Sequence, residues 1–221
     1  MAAPGFELIL ILDGPTLPWA EARPSLEAVL SELPEGAILI LDRDLAPDRG
    51  GPSDLARLAR LAALRALTAR RGAPLAVSAR VDLALACGAD GVQLPESGFP
   101  AALVRATWPQ LWVGRSCHDR AGLEQAAADG ARWATLSPVH PPFSKPPSGP
   151  PLGIDGFGRT IAGLSLPVFG LGGVDGPSAA ALRARGAAGV ATMAGVLGRT
   201  DAVARARALL APTRASRPGP G

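Results

Sequence analysis

The chain has 221 residues, 48% of them hydrophobic, a formal net charge of +3 and two cysteines. That is enough apolar material for one sizeable core, as a single large α/β domain or two small ones. Two thiols without CxxC spacing exclude a disulfide framework and a cysteine metal cluster, so a reducing cytoplasm is the expected setting. The positive charges are spread along the chain with no interleaved aromatic residues, which argues against a nucleic-acid partner.

In chain order, the first element is FELILIL at 6–12, a buried strand. It is too short to span a membrane and has no basic flank of the signal-peptide kind. A helix is expected at 25–32 and a second strand, AILIL, at 37–41. The segment 53–71 opens on a capping signal, PSDL, and reads as an amphipathic helix; Arg57, Arg60, Arg65, Arg70 and Arg71 form its solvated face. Further strands are expected at 74–78, 91–94, 111–114, 132–136, 167–171 and 189–193. They alternate with helices at 81–87, 100–106, 119–129, 155–163, 177–185 and 201–210.

Short runs that are apolar throughout, with no in/out alternation, mark parallel strands buried on both faces. Strict β/α alternation eight times over predicts a single α/β domain, a (β/α)8 TIM barrel, over residues 1–210. An open doubly wound sheet is the alternative topology. The Pro/Gly-rich end, 211–221, reads as a disordered tail.

In such a barrel, chemistry gathers on the loops that follow the strands. Ser116 and His118 then follow the fifth strand, and His140 and Lys145 the sixth. Gly172 and Gly173 follow the seventh, and Ala194 and Gly195 the eighth. The glycines suit phosphate, because backbone without a Cβ can bring its N–H groups close to an anion. The loop SPVHPPFSKPPSGPPLG, 137–153, is distinctive: it holds one of two histidines and the only lysine in a chain whose other basic residues are all arginine. A lone Lys kept among arginines suggests a place that needs a compact ammonium. Histidine can exchange a proton near neutral pH, so His140 and His118 are candidate acid/base groups, with loop packing and a helix-start role as the respective alternatives. Arg80 and Arg115 are candidate anion contacts. Asp13 could orient a substrate or form a buried ion pair. Cys117 reads as a packed residue rather than a nucleophile.

Three stretches carry a resemblance: ARVDLALACGADGVQLPESGFP, WVGRSCHDRAGLEQAAADGARWATLSPVHPPFSK and LPVFGLGGVDGPSAAALRARGAAGVATMAGV. From about Leu75 to Leu197 the chain resembles the thiamine phosphate synthase/TenI family; before that the likeness rests on LILILD and LDRDL. The resemblance implies a barrel that handles a thiazole phosphate. The synthase branch joins it to a pyrimidine diphosphate with Mg²⁺, whereas the TenI branch isomerises a thiazole carboxylate phosphate without metal.

Where the synthase has Gln-x-Arg-x-Lys on its second strand, this chain has Leu39, Leu41 and Arg43. Two carboxylates that resemble Mg²⁺ ligands align with Ala79 and Gly98. VQLPESGF and GRSCH are similar to the TenI branch, although that branch's catalytic histidine aligns with Pro138 and His140 lies two residues further on.

The leading expectation is therefore a metal-independent thiazole tautomerase with no cofactor. His140 and His118 would be catalytic, Lys145, Ser116, Arg80 and Arg115 would hold substrate, and Gly172, Gly173, Ala194 and Gly195 would hold phosphate. A synthase is the alternative, with Mg²⁺ and a site rebuilt from Glu96 and Asp44. A non-catalytic phosphate-ligand sensor or partner-binding barrel, or another phosphate-binding isomerase, also stays open, as does a homo-oligomer. The expected partner is a small phosphorylated thiazole, with no nucleic acid and no membrane.

Overall fold

Each apolar run becomes one strand of a closed ring. The computed structural model describes residues 4–45, 47–141 and 150–211, so Lys145 and nearly all of the C-terminal tail lie outside the described residues. The order is β1 (Leu8–Asp13), α1 (Trp19–Glu32), β2 (Ile38–Arg43), a 3-10 turn at Pro47–Arg49, α2 (Asp54–Arg70), β3 (Leu75–Ser78), α3 (Val81–Ala86), β4 (Gly91–Leu94), α4 (Ala101–Thr107), β5 (Trp112–Cys117) and α5 (Arg120–Ala128). Then come β6 (Trp133–Leu136), α6 (Gly153–Ile161), β7 (Val168–Leu171), α7 (Gly176–Ala184), β8 (Gly189–Thr192) and α8 (Ala202–Leu210). All neighbours pair in parallel, and β8 returns to β1 with Leu8 opposite Val190. The expected (β/α)8 barrel is what the chain forms, and the open sheet is ruled out.

Closure explains why the strands are apolar on both faces. Leu8, Leu10, Leu12, Ile38 and Ile40 pack outward against the helices, while Ile9, Ile11, Leu39, Leu41, Ala76, Trp133, Phe169 and Ala191 fill the interior with Phe6. Phe6 meets Trp133 edge-on at 5.5 Å and stacks on Phe169 at 5.3 Å. Glycine makes room for these rings: a Cβ on Gly114 would stand 2.2 Å from Trp133 Cε2. Large side chains thus sit opposite absent ones, as a close-packed interior requires.

Two expectations need correction. First, α1 begins at Trp19 and runs through Pro24, rather than starting after it. The missing N–H costs one bond near the helix start, and the buried stripe Ala22, Leu26, Val29 and Leu30 carries the helix regardless. Second, the arginines of α2 are not all a solvated face. Arg57 is 4% exposed; its Nε and Nη2 donate to Asp42 Oδ2 at 3.1 and 3.0 Å. Arg60 donates to Asp42 Oδ1 at 2.6 Å and to Asp44 Oδ2 at 2.7 Å. Asp42 points away from the barrel interior into the β2–α2 layer, where an unpaired carboxylate would be untenable.

Among the described residues no helix is long and apolar enough to cross a membrane.

Candidate functional site at the barrel mouth

Parallel closure brings the strand ends to one rim. On the β1–β2 side, Asp13 is buried, accepts from Thr16 Oγ1 at 2.8 Å and lies 3.6 Å from Arg43 Nη1. Arg43 also approaches Met193 Sδ at 3.0 Å, and 38% of its side chain remains exposed to the mouth. Of the two uses open to Asp13, the structure displays the ion pair.

Strand β5 runs three residues further than the sequence pattern suggests, so Ser116 lies within it and not in the loop beyond. Alternation then turns Ser116 inward, toward Gln93, and Arg115 outward. Arg115 donates to the carbonyls of Phe99 and Glu96 at 2.5 and 2.7 Å, bracing the β4–α4 loop. Arg80 is likewise engaged: it binds Asp54 through two nitrogens at 2.6 and 3.0 Å and Asp82 at 2.6 and 2.8 Å. Those bonds hold the Asp54 and Asp82 carboxyls below the usual carboxylate range. Both arginines thus serve the rim's frame, apart from the glycine loops.

His118 stands just beyond β5, exposed, with Nδ1 2.8 Å from the Ser137 carbonyl oxygen and 3.3 Å from Ser137 Oγ. A carbonyl only accepts, so Nδ1 is the donor in this contact, and in a neutral ring Nε2 is the basic nitrogen. Asp119 caps α5 by accepting from the Gly122 N–H at 2.8 Å.

The sixth loop packs directly on the seventh. Val139 and His140 donate their N–H groups to Leu171 and Gly172 carbonyls at 2.9 and 3.0 Å. Gly172 and Gly173 have φ of 103° and 61°. A Cβ on Gly173 would stand 2.8 Å from His140 Cβ and 3.0 Å from the Pro141 oxygen. Both the backbone angle and the space demand glycine here. Neither glycine's N–H is spent on a backbone carbonyl among the described residues. Asp175 takes the first turn of α7 for itself, accepting from the Ser178 N–H and hydroxyl, which hold its carboxyl below the usual range. Free donors for an anion therefore lie in the glycine loop, ahead of the helix.

On the neighbouring β8 loop, Gly195 donates to Thr192 Oγ1 at 3.3 Å and Ala194 is exposed. The structure thus brings His140, Gly172 and Gly173 into contact and sets His118 on Ser137 of the same loop.

Residues 18–196 match the profile of the TMP-TENI family, described as thiamine monophosphate synthase. The chain belongs to that family. The thiamine monophosphate synthase match reaches further toward the N-terminus than the motifs at 75–197. A protein of Geobacter sulfurreducens named "Putative thiamine-phosphate synthase" is 42% identical over 214 residues, 96% of each chain. A thiamine-phosphate synthase of Chloroflexus aurantiacus is 37% identical over 67% of this chain and 68% of its own. The solved thiamine phosphate pyrophosphorylase of Pyrococcus furiosus superposes with a TM-score of 0.76 at 25% identity, covering 94% of this chain and 95% of its own.

Mg²⁺ takes oxygen ligands, commonly one or two carboxylates together with substrate phosphates and waters. Among the described residues no three His, Cys, Asp or Glu side chains converge. Ala79 offers no carboxylate, and a Cβ on Gly98 would stand 3.0–3.1 Å from Pro95. Asp44, weighed as a replacement ligand, is held by Arg60 with its side chain 3% exposed. Glu96, in the β4–α4 loop, instead turns its carboxylate toward the start of α5, its Oε1 3.3 Å from the Cβ position of Gly122. Asp44 is thus committed to Arg60 and Glu96 faces α5, so the two do not form a shared site among the described residues.

Cys117 is 1% exposed, and burial, with Glu96 nearby, pushes its thiol up to about 12. Iodoacetamide near neutral pH should leave Cys117 unlabelled in the native protein and label it in urea, as read by peptide mass spectrometry.

Sequence reading did not find two features. One is the Asp42–Arg57–Arg60–Asp44 cluster, whose signal was an Asp inside an apolar strand run. The other is the polar floor around Gln93.

Proposed function

We propose that this chain acts on a thiazole phosphate at the barrel mouth as a transferase of the thiamine-phosphate synthase kind, joining the ring to a pyrimidine carried as its diphosphate. The relatives' names support the reaction. One observation carries the ligand: the Gly172–Gly173 pair, with positive φ at both positions and its N–H groups not committed to backbone carbonyls among the described residues. Successive N–H groups in such a turn form a concavity for anionic oxygen. In this reading the phosphate rests on the β7–α7 loop and the ring lies over Ser116 and Leu171. Arg43, facing in from β2, supplies positive charge for the diphosphate. These residues bind and orient the two substrates.

A second reading, metal-independent tautomerisation, is favoured by His118. Its Nδ1 is tied to Ser137, so Nε2 is preset as a base, and proton transfer needs no carboxylate cluster. His140, against Gly173, is the other candidate base.

The deciding experiment supplies thiazole phosphate and pyrimidine diphosphate and follows pyrophosphate release. Thiamin phosphate formed one-for-one with pyrophosphate, impaired in Arg43→Ala and nearly unchanged in His118→Ala, is expected. No release, with a thiazole carboxylate phosphate isomerised instead and the rate falling roughly 10²–10⁴-fold in His118→Ala, would replace the transferase by the tautomerase. The same loss in His140→Ala would move the base there. Phosphate bound without either reaction would overturn both.

A further inference from the structure

The barrel interior is hydrocarbon up to the level of Leu41 and Ala76, but on the β4–β6 side it changes character. Gln93 and Thr135 are each 3% exposed, and Ser116 beside them is half-buried. Gln93 Nε2 lies 3.1 Å from Ser116 Oγ and 3.3 Å from Thr135 Oγ1. The other end of the amide crowds Gly114: the place a Cβ would take is 2.3 Å from Gln93 Oε1 and 2.2 Å from Trp133 Cε2. Gln93 Oε1 and Trp133 Nε1 are both buried, and neither has a hydrogen-bond partner among the described residues.

With Nε2 facing the two hydroxyls, Oε1 is the end turned toward the Trp133 ring. Both Nε2 protons are then spent on Ser116 and Thr135. Each hydroxyl accepts from Gln93 and keeps its own proton to give.

Resting on the reading of the mouth as a ligand site, we infer that Gln93 is a positioning residue that orients Ser116 as a hydrogen-bond donor toward an anionic oxygen of the ligand. It does not touch the ligand itself. Gln93 thereby biases the floor of the mouth toward an acceptor on the ligand.

The substitution Gln93→Glu keeps the shape and reverses the polarity. A carboxylate accepts from both hydroxyls, so the Ser116 O–H turns to donate to it and away from the ligand. Affinity for thiazole phosphate, by calorimetry above neutral pH, should fall roughly 10–100-fold, the range for a hydrogen bond to a charged group. It should recover in acid as the introduced carboxyl takes up a proton and can donate again. Gln93→Leu frees the Ser116 hydroxyl to rotate and should lose less than about threefold, without pH dependence. In a Ser116→Ala background Gln93→Glu should add little. An equal further loss there would mean simple charge repulsion and overturn the inference.

Wild-type protein that binds neither thiazole phosphate nor inorganic phosphate would overturn the mouth reading and this inference together. Wild-type binding with equal losses in Gln93→Glu and Gln93→Leu would overturn the inference alone. Should Gln93→Glu not fold, side-chain amide NMR of the wild type decides: both Gln93 Nε2 protons exchange slowly and one loses protection in Ser116→Ala. Fast exchange of both would sink the assignment.

Discussion

Replacing Asp42 with Ala should cost the protein about 3–5 kcal/mol, seen as a lower urea midpoint at unchanged slope. Asp42 is fully buried and accepts from Arg57 and Arg60 at 2.6–3.1 Å. Burial pushes its carboxyl up against the pull of both guanidinium groups, so the ion pair does not repay its own desolvation in full. The large effect comes from what truncation leaves behind. Arg60 would still hold Asp44, but Arg57, 4% exposed, would stand in the β2–α2 layer with no carboxylate in contact among the described residues. Removing both charges with Asp42→Leu and Arg57→Met should therefore recover most of the loss. A single-variant cost below about 1 kcal/mol would show that water reaches Arg57 and that the layer is not dry.

That cluster also marks how far sequence reading goes. The ring of strands was legible because closure buries both faces of every strand, and a run such as LILILD has no other economical home. Helix α2 was legible as a helix for its capping Ser53 and its Leu61, Leu64 and Leu67 stripe. The fate of its arginines was not, because which side of a helix stays wet depends on what the adjacent strand offers. Asp42 offers a carboxylate to Arg57 and Arg60, while among the described residues no carboxylate pairs with Arg70.

The mouth divides in the same way. The glycines after β7 were legible, since positive φ and a crowded neighbour leave few alternatives. Ser116 reads from sequence as a loop residue, because polar residues at the end of a strand look like loop until the interior they face is known. Gln93 was invisible: inside GVQL it is one polar letter in a buried run, and its meaning arises only when Ser116 and Thr135 arrive from two other strands.

The same crowding that made the glycines legible predicts the largest effect on ligand binding. Gly173→Val should weaken inorganic phosphate and thiazole phosphate binding roughly 100-fold, the loss of two charge-assisted backbone donors, measured by calorimetry. A β-branched residue at φ of 61° is strained in its backbone alone. Its Cβ would also lie 2.8 Å from His140 Cβ and 3.0 Å from the Pro141 oxygen, so the β7–α7 loop has to move off the sixth loop. Movement there re-aims the N–H groups that would hold the anion. Gly36→Val separates this local effect from strain in general. Gly36 has φ of 74° and nothing within 4 Å of its Cβ position, and it lies between α1 and β2, at the opposite end of the barrel from the strand-end rim. It should lower thermal stability while leaving phosphate affinity untouched. If Gly173→Val binds phosphate as well as Gly36→Val does, the anion site is not on the β7–α7 loop.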